Sequence, residues 1–268
     1  MNDPLSAGRP AFPPSPAART AVVTGAGSPL GIGFAVARRL VRAGWSVGLL
    51  DRDEDSLKAR VASLQSPAAG PVRVFGQAAD VTDPAQIDTA AAAFERELPP
   101  VVALVNVAGI SDPTRFLDTD LARWQRVIDV NLTGTFLAMK RFVPGMVSRG
   151  AGRVVNLSST AAQTGGGTYS ATAYAASKAG IEGLTHGAAL ELAPTGVTVN
   201  VVSPAVIDTE IMGGRITDER KPAFVAGLPV GRLGTTDEVA ALIEFLIGPD
   251  AGYITGAHYN INGGARIG

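Results

Sequence analysis

The stretch Thr24-Gly25-Ala26-Gly27-Ser28-Pro29-Leu30-Gly31-Ile32-Gly33 decides the fold of this 268-residue chain. It follows a short apolar run at residues 21–24, and a helical pattern begins at Ile32, so the glycines lie between a strand and a helix. Glycines let the backbone turn tightly and approach a pyrophosphate, whose charge is stabilised by the free N–H groups at a helix N-terminus. The stretch therefore predicts a dinucleotide-binding turn, although plain glycine-rich turns also join strands to helices.

Short apolar runs alternate with helical patterns along the rest of the chain. The predicted strands are residues 21–24, 46–50, 72–75, 101–106, 152–157, 197–202 and 257–261. The predicted helices are residues 32–43, 54–65, 84–98, 121–148 (as one or two helices), 172–193 and 236–246. This alternation predicts parallel strands joined by right-handed crossovers.

The expected architecture is one α/β domain at residues 19–268, a doubly wound Rossmann-type fold with a mostly parallel seven-stranded sheet flanked by helices. Residues 1–18 contain five prolines and no apolar run, which predicts a disordered N-terminal tail. Ligands of such sheets bind beyond the carboxyl ends of the strands.

Composition excludes several classes of function. The chain has no cysteine, so thiolate metal sites and cysteine nucleophiles are impossible, and its two histidines, His186 and His258, are poor candidates for metal ligands. A net charge of −1 argues against nucleic acid or an anionic membrane as the main partner. No apolar run is long enough for a membrane span, and no secretory signal is recognisable, so we expect a cytoplasmic protein.

Asp51 ends the second predicted strand, where dinucleotide-binding folds place an acid on the adenosine ribose. A carboxylate there accepts hydrogen bonds from the ribose hydroxyls and repels a 2′-phosphate, which favours NAD. The adjacent Arg52 leaves NADP possible, because an arginine can pair with that phosphate.

The segment Tyr174-Ala175-Ala176-Ser177-Lys178 predicts a catalytic pair, because a spacing of four residues puts the phenol and the ammonium on one helix face. A free tyrosine has a pKa of about 10, and a neighbouring cation lowers the pKa of a phenol. The spacing alone is common among ordinary helix residues, so it needs support from other positions.

That support comes from a family resemblance. The glycine stretch resembles the Thr-Gly-x-x-x-Gly-x-Gly motif of the short-chain dehydrogenase/reductase family, with five residues rather than three between Gly25 and Gly31. The family's catalytic set is similar, in order, to Asn131, Ser159, Tyr174 and Lys178. Ser159 is chosen over Ser158 as the second serine of the pair, and Tyr169 is set aside because no lysine lies four residues after it.

Three further segments carry the resemblance, which runs from about residue 20 to residue 264. They are Asp80-Val81-Thr82-Asp83, Asn106-Val107-Ala108-Gly109 and Pro204-Ala205-Val206-Ile207-Asp208-Thr209. The cofactor contacts that the resemblance implies are Gly25, Ser28, Gly31, Ile32, Gly33, Asp51, Arg52, Asp80, Val81, Asn106, Ala108, Gly109, Tyr174, Lys178, Pro204, Ile207 and Thr209.

The resemblance implies hydride transfer between NAD(H) and a small, largely apolar secondary alcohol or ketone. Tyr174 would be the general acid/base, Ser159 would orient the substrate oxygen, Lys178 would hold the ribose, and Asn131 would order a water that leads to Lys178. Residues 211–228, with Ile211, Met212, Ile216, Phe224 and Leu228, would cover the substrate. The resemblance also implies a homotetramer or homodimer built on residues 121–146 and 174–192.

Two other functions stay open. A 3-oxoacyl thioester reductase would use NADPH and basic residues beside the cleft, for which Arg149 is a candidate, while Thr195 stands where a second arginine is expected. A non-catalytic dinucleotide sensor could use the same fold, although the complete Asn131, Ser159, Tyr174 and Lys178 set argues against that interpretation.

Overall fold

A computed structural model of the chain describes residue 12 and residues 18–65, 71–167, 169–211, 214 and 216–267. The other residues of the predicted tail, 1–11 and 13–17, lie outside the described residues, as does Met212 of the predicted substrate segment. Phe12 is described, and the centre of its ring lies 6.2 Å from that of Trp45. Disorder of the tail stays a prediction.

The described residues form a sheet of seven parallel strands in the order β3-β2-β1-β4-β5-β6-β7. The strands are β1 (Thr20–Thr24), β2 (Ser46–Asp51), β3 (Val74–Ala78), β4 (Val101–Asn106), β5 (Gly152–Leu157), β6 (Val197–Pro204) and β7 (His258–Ile261). This confirms the predicted doubly wound sheet, in which the chain order reverses direction between β1 and β4.

Helices cover both faces of the sheet. They are α1 (Ile32–Arg42), α2 (Glu54–Leu64), α3 (Pro84–Glu97), α4 (Leu121–Ile128), α5 (Gly134–Ser148), α6 (Ala161–Thr164), α7 (Thr172–Leu192), α8 (Lys221–Val225) and α9 (Thr236–Ile247). The central strands are therefore covered on both sides by helices, which explains why β4 is fully buried and apolar from Val101 to Val105.

Two apolar clusters fill the space between the sheet and its helices. Leu40 of α1 and Ile243 of α9 belong to the cluster on one face, together with Val23 and Leu49 of the sheet. Phe94 of α3 and Met146 of α5 belong to the cluster on the other face. Burial of these side chains supplies the main driving force for folding, and it holds the carboxyl ends of the strands in one row.

Most element boundaries differ from the sequence prediction by two residues or fewer, and the largest difference is at β3. β3 runs over Val74–Ala78 rather than residues 72–75, because its backbone pairs with β2 as far as Asp51 although Gly76 and Gln77 give no apolar signal. Residues 121–148, predicted as one or two helices, form two, α4 and α5, joined by a π-helical turn at Asp129–Thr133. Such turns widen a helix locally and occur often at functional sites.

Candidate active site

A cleft of about 670 Å³ lies along the carboxyl edge of the sheet. Its walls come from the segments that follow β1, β2, β3, β4, β5 and β6. The cleft crosses the point between β1 and β4 where the strand order reverses, which is where open α/β sheets bind ligands. Its volume lies within the ordinary range for ligand sites.

The glycine-rich loop leaves β1 through Gly25, whose φ of +68° suits glycine. A Cβ at Gly25 would lie 2.7 Å from the Ala108 Cα, and one at Gly33 would lie 2.3 Å from the Gly25 carbonyl oxygen. Both positions therefore require glycine for close packing. Gly33 serves that packing and does not line the cleft, whereas Gly25 does both.

The five residues between Gly25 and Gly31 form a turn in which the Gly31 N–H donates to the Ser28 carbonyl oxygen at 3.1 Å. Among the described residues, no side chain caps the N-terminus of α1, and its first turn holds no acid. Its N–H groups are thus open to an anion at the end of the cleft that Gly25, Ser28, Gly31 and Ile32 line. This uncapped terminus fits the pyrophosphate of a dinucleotide.

Asp51 lies at the end of β2 and faces the same loop. Its carboxylate accepts the Gly27 N–H at 2.8 Å and the Asp53 N–H at 3.2 Å. Arg52 is exposed and lines the cleft beside it. An acid held by backbone donors at this point fits the adenosine ribose of the same dinucleotide.

Most of the predicted cofactor residues line this one cleft. They are Gly25, Ser28, Gly31, Ile32, Asp51, Arg52, Asp80, Val81, Ala108, Gly109, Tyr174, Lys178, Pro204, Ile207 and Thr209. Asn106 is buried instead, and its Nδ2 donates to the Asn156 Oδ1 at 2.8 Å, so it joins β4 to β5 beneath the cleft. Asn106 therefore supports the floor of the site and does not line it.

Tyr174, on the first turn of α7, lines the cleft together with Ser159, which follows β5. Ser158 is 2% exposed, and its Oγ lies 2.9 Å from the Glu182 carboxylate and 3.0 Å from the Lys178 carbonyl oxygen. The hydroxyl of Ser158 is therefore engaged with α7, which leaves Ser159 as the serine available to a ligand.

Burial raises the pKa of the Tyr174 phenol, and a hydrogen bond with Ser159 opposes that rise. The sequence predicted a lowered pKa from the ammonium of Lys178, whose Nζ lies 5.6 Å from the centre of the Tyr174 ring. Desolvation outweighs the hydrogen bond, because burial of the hydroxyl disfavours the charged phenolate.

Lys178 is 3% exposed, and its Nζ donates to the Leu157 carbonyl oxygen at 2.8 Å. Burial lowers the pKa of Lys178 to about 8. The ammonium is thus held at the end of β5, inside the cleft and one helical turn from Tyr174.

Asn131 lies in the π-helical turn and is fully buried, so it does not line the cleft. Its Oδ1 accepts the Ile110 N–H at 2.8 Å, and its Nδ2 donates to the Ile110 carbonyl oxygen at 3.0 Å and to the Ser177 Oγ at 2.9 Å. The side chain ties the segment after β4 to α7. Its predicted role in ordering a water stays a prediction.

The segment predicted to cover the substrate does so only in part. Ile211 and Phe224 line the cleft, whereas Ile216 and Leu228 are buried and do not line it. Tyr169, set aside on the sequence because it lacks a partner lysine, also lines this end and lies 5.1 Å from the Phe224 ring, centre to centre. The sequence offered one signal that Tyr169 lies at the site, because it follows the three glycines at residues 165–167 by two residues, in the loop between Ser159 and Tyr174.

Arg149 does not lie beside the cleft. Its Nη2 donates to the carbonyl oxygen of Val101, at the amino end of β4 and thus on the opposite edge of the sheet. The expectation that it could receive a carrier protein beside the cleft is therefore wrong, because the α5 helix that carries it ends far from the carboxyl edge.

The remaining acidic and histidine side chains of the described residues do not form a metal site. In the described part of the chain, no group of three or more acidic or histidine side chains is placed to hold a metal ion. His258 contacts the Ser203 Oγ at 2.7 Å and lies 3.5 Å from the Glu182 carboxylate, as a residue with a structural role does. None of the described helices has the length and apolarity that crossing a bilayer requires.

The sequence is similar to known oxidoreductases over most of its length. The family model described as Enoyl-(Acyl carrier protein) reductase matches residues 25–266. A galactitol 2-dehydrogenase (L-tagatose-forming) of Cereibacter sphaeroides is 39% identical, over 92% of this chain and 94% of its own. A 2-(S)-hydroxypropyl-CoM dehydrogenase 3 of Xanthobacter autotrophicus is 36% identical, over 90% of this chain and 94% of its own.

A solved structure has the same fold. The crystal structure of a 3-oxoacyl-(acyl-carrier protein) reductase with bound NAD from Brucella melitensis superposes with a TM-score of 0.84 and 31% identity. The match covers 93% of this chain and 92% of that one.

Proposed function

This chain belongs to the short-chain dehydrogenase/reductase family, and from that premise we propose that it interconverts a small secondary alcohol and its ketone with NAD(H). The observation that carries the proposal is the position of Ser159, Tyr174 and Lys178 in the same cleft as Asp51. One cleft thereby joins a proton donor to a nucleotide-binding end, as hydride transfer from a dinucleotide requires.

When bound, the nicotinamide supplies or accepts the hydride. In the reductive direction, Tyr174 gives its proton to the carbonyl oxygen, and Ser159 donates a hydrogen bond to that oxygen and orients it. The raised pKa of the Tyr174 phenol keeps the proton in place for this step. Lys178 holds the nicotinamide ribose and favours charge on the Tyr174 oxygen in the reverse direction.

The preference for NAD rests on Asp51. Its carboxylate accepts the Gly27 N–H at 2.8 Å, so it is fixed at the end of β2 beside the glycine-rich loop. Repulsion between this carboxylate and the 2′-phosphate of a cofactor bound beside it would disfavour NADP. Arg52 is exposed on the rim and could offset part of that repulsion.

A 3-oxoacyl thioester reductase is the second candidate, favoured by the structural similarity to the Brucella melitensis reductase. The location of Arg149 at the amino end of β4 weakens it, because that side chain cannot guide a carrier protein to the cleft. A non-catalytic sensor is the third, and the Ser159, Tyr174 and Lys178 arrangement weighs against it.

Initial rates of NADH and NADPH oxidation with aliphatic, aryl and cyclic ketones and with a 3-oxoacyl thioester test the proposal. We expect turnover of simple ketones with NADH. Turnover confined to NADPH and the thioester would replace the proposal with the second candidate. Binding of NADH without consumption by any ketone or thioester would favour the sensor.

We also propose that the protein works in the cytoplasm as a homodimer or homotetramer built on α4, α5 and α7. Four large apolar side chains on these helices are exposed, namely Leu121, Trp124, Phe136 and Leu190. Covering these side chains with a partner would remove apolar surface from water, which favours association. Light scattering on the purified protein should give two or four times the chain mass, and a monomer would refute the assembly.

A further inference from the structure

The substrate end of the cleft has an aromatic wall, formed by Tyr169 and Phe224, both of which line the cleft. Their ring centres lie 5.1 Å apart, and the ring planes are tilted by 34°. At this distance the two rings contact each other, so there is no room for a third ring between them. Tyr169 and Phe224 therefore act as one apolar surface, against which a ligand packs from the cleft.

Tyr169 is held in place at both its side chain and its backbone. Its hydroxyl accepts from the Arg220 Nε at 3.0 Å, and the Arg220 Cζ lies 4.3 Å from the centre of its ring. Arg220 does not line the cleft, so it supports the ring from outside the space that a ligand enters. The Tyr169 carbonyl oxygen accepts from the Ser111 Oγ, which ties the backbone to the segment after β4.

The turn that carries Tyr169 is fixed on both sides. The Gly167 N–H donates to the Ser170 carbonyl oxygen at 2.6 Å, and the Ala171 N–H donates to the Asp112 carbonyl oxygen at 2.9 Å. A side chain that is fixed before a ligand arrives loses little freedom when it binds that ligand. Contact with the Tyr169 ring therefore adds to affinity at little entropic cost.

The charged side chains of the cleft have other positions and partners. Among the described lining residues they are Asp51, Arg52, Asp80, Lys178 and Glu210. The first three follow β2 and β3 at the nucleotide end, and the Lys178 Nζ donates to the Leu157 carbonyl oxygen at 2.8 Å. The Glu210 carboxylate accepts the Ser28 hydroxyl at 2.6 Å. The aromatic wall therefore suits an uncharged, apolar part of a substrate.

We infer that Tyr169 and Phe224 determine specificity, and that the substrate carries an aromatic ring that stacks on this wall. The inference rests on the proposed function and deepens it, because it gives the alcohol or ketone an aryl substituent. The reacting carbon lies at Tyr174, and the aryl ring lies on the wall. Offset aromatic rings attract each other beyond what their buried area supplies, whereas a saturated ring gains from its buried area alone.

The test compares phenyl ketones with cyclohexyl ketones of similar size. The series is 1-phenylpropan-2-one, 4-phenylbutan-2-one and 5-phenylpentan-2-one, each with its cyclohexyl counterpart, assayed with NADH. The carbonyl group is separated from the ring in every compound, so the two members of a pair have similar intrinsic reactivity. At one spacer length, kcat/KM of the wild-type protein should be roughly three- to tenfold higher for the phenyl compound.

Variants of the wall assign this preference to its two rings. Tyr169→Leu and Phe224→Leu should each lower the phenyl-to-cyclohexyl ratio of kcat/KM by about twofold or more, and the double variant should bring it close to one. Arg220→Met keeps both rings and removes the support of Tyr169, so it should lower the ratio less than Tyr169→Leu does. Tyr253→Leu is the matched control, because Tyr253 is fully exposed and does not line the cleft.

Two outcomes would overturn the inference and leave the proposed function intact. One is a wild-type ratio no higher than about two at all three spacer lengths. The other is a higher ratio that survives unchanged in Tyr169→Leu and in Phe224→Leu, which would place the aryl group away from the wall. Each ratio is taken within one variant, so partial loss of folded protein cancels from it.

If no ketone is reduced, the proposed function fails, and calorimetry of the same six ketones with the NADH complex decides the inference separately. Tighter binding of a phenyl ketone than of its cyclohexyl counterpart, lost in Tyr169→Leu or Phe224→Leu, supports it. Equal binding of the two members of every pair, or no binding at all, refutes it.

Discussion

The Ser28 hydroxyl donates a 2.6 Å hydrogen bond to the Glu210 carboxylate across 182 residues of sequence. Ser28 belongs to the glycine-rich loop, and Glu210 follows Thr209 after β6, so the contact spans the cleft from its phosphate end to its substrate segment. It places a negative charge beside the N–H groups that would receive a pyrophosphate. We therefore expect the Glu210 carboxylate to repel the pyrophosphate of a dinucleotide that binds at the glycine-rich loop.

Glu210→Gln should tighten NADH binding by roughly three- to tenfold at low salt. The amide can still accept from Ser28, so the change isolates the charge, whose repulsion with phosphate is about 1 kcal/mol in a water-rich cleft. Fluorescence titration measures the dissociation constant of NADH, and the difference between Glu210→Gln and the wild type should shrink as the salt concentration rises. Glu191→Gln, an exposed charge on α7, is the control. Unchanged affinity in Glu210→Gln would show that the carboxylate moves aside at no cost.

Tyr174→Phe should abolish ketone reduction, by at least about 10³-fold, because only the phenol can deliver the proton. The ring is kept, so the cleft wall and the dissociation constant of NADH should stay near their wild-type values. Steady-state rates beside NADH titration separate the two effects. A variant that retains wild-type rates would require another proton donor.

Lys178→Met should raise stability while it removes activity. Between pH 8 and 10.5 the unfolded chain holds more protons than the folded one, because burial lowers the pKa of Lys178 from 10.5 to about 8. The free energy of unfolding of the wild-type protein therefore rises as pH rises from about 8 to 10.5. It falls again as pH is lowered from 10.5 to about 8, where the buried amine takes up its proton.

At pH 7 Lys178 is charged, so desolvation of its ammonium lowers the free energy of unfolding by the full amount. Replacing Lys178 with an uncharged residue removes this destabilisation. We expect Lys178→Met to be about 2 kcal/mol more stable there, after loss of the bond to Leu157 is subtracted. Urea unfolding at pH 7 and pH 10 measures the difference, which should narrow at the higher pH. Lys140→Met on α5 is the control for removal of an exposed lysine. A less stable Lys178→Met at pH 7 would contradict the argument.

Asn131→Ala should destabilise the protein by about 2–4 kcal/mol, since it leaves the Ile110 N–H and carbonyl oxygen without their partner in a fully buried place. Asn260→Ala, at an exposed position, should cost under about 1 kcal/mol. Urea unfolding compares them. If the two variants are equally stable, the Asn131 bridge is not needed to join the β4 segment to α7.

Periodicity predicted the seven strands and the long helices in order, because buried parallel strands are continuously apolar and helices repeat their apolar residues with a longer period. It did not predict the short helices α6 and α8, which are too short to show a period. It placed β3 too early, since Gly76 and Gln77 are paired by the neighbouring strand and not by their own character. Motif spacing predicted which residues line the cleft, with the exceptions of Gly33, Asn106 and Asn131, which pack or bond beneath it.

Contacts between loops that are distant in sequence could not be predicted from periodicity or motif spacing. The Ser28–Glu210 bond and the Arg220–Tyr169 pair join residues 182 and 51 positions apart. Neither pair has a periodic signal, because each depends on where two irregular segments end in space. The π-helical turn at Asn131 was likewise hidden, since one extra residue in a helical turn leaves the apolar pattern almost unchanged.

Asp51→Asn should shift cofactor choice toward NADP. The amide keeps an acceptor for the Gly27 N–H, so the loop stays in place while the charge that repels a 2′-phosphate is lost. We expect the ratio of kcat/KM for NADH over NADPH to fall by about tenfold or more, with Asp55→Asn, an exposed neighbour on α2, as the control. An unchanged ratio would mean that Arg52 or the longer glycine loop governs the choice. Asp51→Asn combined with Arg52→Ala would then distinguish these two, because removing the guanidinium should weaken NADPH binding only if Arg52 contacts the phosphate.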